Sequence, residues 1–222
     1  MEGKRKVVGP GKFDMVELAV ATKTLAILQN SGVPIMDSME IVANSASDNK
    51  VGKAFLAARG KMREGEGIAT PMKAFGFPAM YVQMVAVGEE TGKLIEMLEK
   101  IADYYAMEAK LPAKRSRDSL VTLFCRQMAI MVSTGLPLVT AIGIIAENTD
   151  DKVIKAALLK LQNDVSLGIN FSAAMAAQKG VFPPILVNIS RAGETGGCLD
   201  VVLDRLASLL EWADVARRSV PK

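Results

Sequence analysis

The stretch Gly88-Glu89-Glu90-Thr91-Gly92-Lys93-Leu94 returns once, as Gly193-Glu194-Thr195-Gly196-Gly197-Cys198-Leu199. The shared skeleton is Gly-Glu-x-x-Gly-x-Leu. An apolar series at helical spacing follows each copy. The first is Leu94, Met97, Leu98, Ile101 and Tyr105, and the second is Leu199, Val202, Leu203, Leu206 and Leu210, in the same register. A recurrence at a long fixed period means one structural unit used twice. The 222 residues allow this, because two domains of roughly 100 residues each are of ordinary size. Half of the residues are apolar, enough to bury two cores.

The repeat extends well beyond the motif. A helical face at Leu18, Ala21, Leu25 and Leu28 matches Val121, Phe124, Met128 and Met131. Gly32-Val-Pro34 matches Gly135-Leu-Pro137, and both punctuate helix ends. Glycine suits a left-handed terminal position, and proline cannot continue a helix. Gly65 matches Gly168 and Met72 matches Met175. Two extra residues then enter near Gln178–Gly180, after which Phe77-Pro78 meets Phe182-Pro183. Ala, Leu, Met, Lys and Glu are plentiful and β-branched runs are short, which favours helices over strands. The pattern predicts an all-α chain of two tandem six-helix bundle domains. The expected boundaries are a flexible basic leader at 1–13, a first bundle at 14–110, a basic linker at 111–118, a second bundle at 119–217 and a tail at 218–222.

Composition removes several classes of function. There is no histidine, which excludes the usual zinc sites, Ser-His-Asp triads and Cys-His dyads. The two cysteines, Cys125 and Cys198, form no Cys-x-x-Cys pair, so a disulfide framework is not expected and a reducing cytoplasm fits. Gly65-Glu66-Gly67 is not a phosphate loop, because no Gly-Lys-Ser/Thr follows it and no strand precedes it. Without a nucleophile, base and orienting partner, no enzyme is expected. The net charge of +3 is spread among acidic residues, so nucleic acid is not an expected partner. No window approaches the ~18 apolar residues of a membrane span. The chain as given reads as soluble.

The marked residues carry both structural and functional readings. Gly88 and Gly193 fall late in a predicted helix, where a missing side chain lets two helices approach closely. Gly92 and Gly197 would turn the chain into the next helix, which opens at Leu94 and Leu199. Glu89 and Glu194 either satisfy free amides at a neighbouring helix start, or contact a partner's Arg or Lys, or join a cation site between subunits. Methionines such as Met80, Met84, Met97, Met128 and Met131 have core spacing. Trp212 is either an interface anchor or a cover for the bundle's open end. Lys114, Arg115 and Arg117 follow one copy, and Arg217 and Arg218 follow the other. They are either solvated ends or contacts to an anionic membrane surface. No metal ligand set stands out.

With both copies aligned, the chain resembles the platform proteins of type II secretion (the F component) and type IV pilus assembly (the C component). The residues that carry this are Leu25-x-x-Leu28-x-x-x-Gly32-Val-Pro34, Phe124-x-Arg126-Gln127-Met128-Ala129-x-Met131-x-x-x-Gly135-Leu-Pro137, and Phe77-Pro78 and Phe182-Pro183 with the Gly-Glu motif after each. The resemblance covers about residues 14–110 and 119–217. It implies a non-enzymatic scaffold at the cytoplasmic face of the inner membrane. Its domains would dock a hexameric assembly ATPase and couple it to pilin or pseudopilin subunits and other platform components. It also implies homo-oligomers and, in some members, a calcium site whose ligands are not assigned here. The family has membrane spans between its domains and after the second. Here Tyr105 to Arg117 leads straight into the second bundle. Copy one looks like the family's usual second domain and copy two like its first. That implies an excised, rearranged or divergent version, for which binding to cytoplasmic partners is the part that carries over. The competing expectation is a generic helical adaptor unrelated to secretion.

Overall fold

The computed structural model describes residues 13–46, 49–110 and 117–219, with side chains of the last helix as far as Trp212. Among these residues there are twelve helices and no strand. The chain divides into two compact units, Met1–Ala113 and Lys114–Lys222. The first holds α1 (Met15–Asn30), α2 (Ile35–Ser45), α3 (Asn49–Met62), α4 (Ala69–Ala74), α5 (Ala79–Thr91) and α6 (Leu94–Glu108). The second holds α7 (Arg117–Ser133), α8 (Leu138–Glu147), α9 (Lys152–Ser166), α10 (Phe171–Ala177), α11 (Pro184–Gly196) and α12 (Leu199–Ser219). The tandem all-α architecture is the one the repeat predicts.

Each unit closes in the same way. Its first helix packs on its last, α1 on α6 and α7 on α12. The second packs on the third, and the short fourth leans on the fifth. Helix ends follow the local chemistry. Asp14 caps α1, its carboxylate accepting from the Val16 and Glu17 amides at 2.9 and 3.1 Å. Asp151 caps α9 through Val153 and Ile154 at 2.9 and 3.0 Å. Gly32 and Gly135 take φ of +77° and +85°, values L side chains rarely adopt. The chain then folds back, the Val33 amide donating to Leu28 O at 3.0 Å and the Leu136 amide to Met131 O at 3.1 Å. Pro34 and Pro137 start the next helix in both units.

The expected core faces are inside. Leu18, Leu25, Phe55 and Leu98 are fully buried in the first unit, as are Met128, Met131, Leu158 and Leu203 in the second. Met80, Met84 and Met97 are core as well. Trp212 is not a cover, because it stands 68% exposed. Its position on α12 turns the indole away from the bundle.

The two units solve the same packing problem with different residues. The Arg59 guanidinium, anchored on Glu40, donates to Met36 O at 2.8 Å. At the matching positions Gln162 donates to Val139 O at 3.2 Å, and Gly143 stands where Glu40 does. A side chain on Gly143 would collide with the Gln162 amide. The Thr22 and Tyr81 hydroxyls, hydrogen-bonded at 3.2 Å, become the apolar pair Cys125 and Leu186. A hydroxyl pair or an apolar pair is tolerated there, because either leaves no polar atom unmatched.

Candidate functional site

The Gly-Glu motif forms the join between the last two helices of each unit and the short fourth helix. Glu89 lies near the end of α5. Its Oε1 accepts from the Ile68 amide at 2.5 Å and its Oε2 from the Ala69 amide at 2.8 Å. Glu194 does the same from α11, accepting from Phe171 at 2.5 Å and Ser172 at 3.0 Å. These amides are repeat equivalents. They are free donors at the starts of α4 and α10, and a carboxylate there also meets the positive helix end. Gly67 leaves the room, because a Cβ on it would come within 3.0 Å of Glu89 Oε1. The Gly65-Glu66-Gly67 stretch is thus the approach to a capped helix.

The capping pair makes a specific demand on chemistry. Glu194→Ala should lower unfolding free energy by about 1 kcal/mol, as loss of a cap does. Glu194→Gln should recover little of this. Its one oxygen can accept from one amide, but its NH2 then faces the other as a second donor. Urea unfolding of the two variants beside the parent checks this, and a neutral Glu194→Gln would contradict it.

The glycines hold the helices together. A Cβ on Gly88 would come within 2.9 Å of Leu94 Cα, and one on Gly193 would strike Val202 and come within 3.1 Å of Leu199 Cα. Leu94 and Leu199 therefore sit as the first turn of α6 and α12 pressed on bare backbone. Gly92 and Gly197 end α5 and α11 with φ of +71° and +65°. The eight motif residues form one structural corner per unit.

Arg126 was visible in the sequence only as part of a motif. It joins α7 to α12. Its Nε and one terminal nitrogen donate to both Glu211 oxygens at 2.9 and 2.8 Å. The remaining contacts go to Asp204 at 2.5 Å and Ser208 at 3.0 Å. Glu211 and Asp204 hold the guanidinium pKa above its ordinary value, the Glu211 hydrogen bond most of all. The signal in the sequence is the 204, 208, 211 spacing, one polar stripe on one helical face. In the first unit the counterpart is a looser pair, Lys23 with Asp103 at 3.3 Å. Arg126→Ala should cost about 1–2 kcal/mol, less than a fully buried pair would, because Asp204 is 60% exposed. Arg126→Lys should restore only part, since an ammonium cannot span both Glu211 oxygens. Thermal unfolding of the three proteins reads this out.

The remaining candidates separate cleanly. Arg117 is exposed and lies 3.9 Å from Asp151. Lys114 and Arg115 lie outside the described residues, as do the side chains of Arg217 and Arg218. Residues 1–12 of the leader and 111–116 of the linker also lie outside them, whereas Phe13, expected in the leader, is buried in the first bundle, because its ring packs on Phe77. Both oxygens of Glu89 and of Glu194 are engaged by amides. No group of three or more Cys, Asp or Glu residues is placed to hold a metal among the described residues. Both cysteines are free. Burial pushes the Cys125 thiol up to about 12, so it stays protonated and unreactive near neutrality.

Two copies of one helical bundle, each locked by a Gly-Glu corner, define a tandem all-α repeat protein. The chain belongs to the type II secretion system (T2SS), protein F, family, whose model matches residues 21–123 and again 124–217. The type IV pilus assembly protein PilC of Myxococcus xanthus is 45% identical over 91 residues, 40% of this chain and 22% of that protein. PilC of Thermus thermophilus is 40% identical over 106 residues, 47% of this chain and 26% of that protein. The type II secretion system protein F of Pseudomonas aeruginosa is 21% identical across 86% of this chain and 72% of its own length. The chain thus spans about a quarter of the two PilC proteins it matches. Among the described residues no helix is long and apolar enough to cross a membrane.

Proposed function

We propose that the chain is a non-enzymatic docking module of a secretion or pilus platform, working at the cytoplasmic face of the inner membrane. In this reading its bundles bind a hexameric assembly ATPase and pass its motion to pilin or pseudopilin assembly through other platform components. The observation that carries the reading is the family match repeated over both halves of the chain. The geometry supports it. The motif carboxylates serve the fold itself, so what each unit offers to a partner is helix surface. Exposed Val16, Val20 and Ile27 on α1 are one such surface.

The test is sedimentation of the cognate assembly ATPase with and without the full chain. A faster-sedimenting complex at micromolar concentration is the expected result. An unchanged ATPase boundary at tens of micromolar chain would sink the docking role.

A further inference from the structure

In the first unit, the ends of α1 and α6 and the loop before α5 are filled by the unit's own side chains. Phe13, Met15 and Tyr105 are there, at 5, 2 and 3% exposure. The Phe13 ring lies 5.3 Å from Phe77, at the head of a chain of rings that runs on through Tyr81 to Tyr105. Phe13 precedes α1, so a short piece of backbone delivers this ring into the bundle from outside the helices.

Among the described residues, the second unit keeps the socket without the large side chains that fill it in the first. The matching positions read Ser116, Asp118 and Leu210, with Leu186 for Tyr81. A cavity of about 610 Å³ stands there, at the starts of α7 and α9 and the loop between α10 and α11. Val121, Ile154 and Phe182 line it as core residues, at 4, 2 and 8% exposure. Val153 and Ile185 line it too, yet are 44 and 45% exposed. Gly180 and Val181, at the two-residue insertion, also line it. Arg117, Asp118 and Thr122 line it beside these apolar side chains, and its volume is in the range of ligand sites. Rigid aromatic rings are the side chains that most often anchor in such pockets.

We propose that this groove seats an aromatic side chain presented by an extended segment of a partner protein, which does from outside what Phe13 does within the first unit. The repeat identifies the occupant's chemistry: the same socket, built from the same helices, is closed by a phenylalanine carried on non-helical backbone. The assignment stands apart from the coupling role above, since it names a socket and its anchor whichever machine the partner belongs to.

Methyl-labelled full chain, titrated with a peptide of residues 8–15 of this chain as the probe, tests it by nuclear magnetic resonance. The methyls of Val121, Val153, Ile154 and Ile185 should shift and saturate. A peptide with Phe13 replaced by alanine should bind at least about tenfold more weakly. Leu210→Tyr, which returns the first unit's ring, should remove the shifts. Ile185→Glu changes an exposed rim position and should remove them as well, should Leu210→Tyr fail to fold. Absence of shifts at millimolar peptide, or equal binding of the alanine peptide, overturns the proposal. So do shifts that track protein concentration without peptide, which would make the occupant a second copy of the chain. Docking of an ATPase could fail while the peptide still binds, so the two ideas fall separately.

Discussion

Phe77→Ala should destabilise the first unit by about 3–5 kcal/mol, the range for removing a buried aromatic side chain. Phe77 is 5% exposed and is the hub of that core. Its ring meets Phe13 at 5.3 Å, Phe55 edge-on at 5.1 Å and Tyr81 at 5.0 Å. The loss combines transfer of the ring, a cavity among large neighbours that cannot collapse, and the ring contacts themselves, each worth about 0.5–1.5 kcal/mol beyond burial. A domain of this size has only about 5–15 kcal/mol in total, so the variant should unfold early in urea. Phe182→Ala, at the matching position, should cost clearly less. Phe182 meets Phe124 at 5.4 Å and borders an open cavity, so less contact is lost. Equal losses in the two variants would mean that the ring cluster is not what distinguishes the units.

Gly88→Val is the second large effect, with an expected loss of about 2–3 kcal/mol from overpacking. The added atoms meet the Leu94 backbone at 2.9 Å, and backbone cannot rotate away as a side chain can. Helix propensity works in the opposite direction but by less than about 1 kcal/mol. Gly193→Val should behave alike, because its Cβ would strike Val202 and approach the Leu199 backbone. Gly60, in α3, is the control: nothing lies within 4 Å of its missing Cβ. Gly60→Ala should therefore stabilise the first unit by about 0.5–1 kcal/mol. Equilibrium unfolding of the set reads the sign directly. A stabilising Gly88→Val would refute the close helix approach.

Much of this was legible in the residues. The twofold use of one bundle follows from recurring helix breakers and apolar faces, because periodicity and punctuation are local properties. Gly92 and Gly197 were readable for the same reason, since a helix that must end and turn needs a left-handed position. The role of Glu89 and Glu194 was not decidable in that way. Capping a neighbouring helix and reaching a partner require the same carboxylate, and which one occurs depends on amides 20–23 residues away in sequence. Arg126 escaped for the same reason, since its three acceptors lie 78–85 residues off. Trp212 stayed ambiguous because the spacing of a terminal helix does not say where its partner helix stops.

By itself, the order of amino acids determined the helices, their ends, the number of units and the family. Those depend on propensity, spacing and short-range backbone geometry. Only tertiary structure decided which amides the glutamates bind, which glycines touch backbone, and that one socket is filled while its twin, among the described residues, keeps a cavity. Such facts depend on distances between segments far apart along the chain, where smaller side chains at matching positions, Leu210 for Tyr105 and Leu186 for Tyr81 among them, leave a groove beside a packed core.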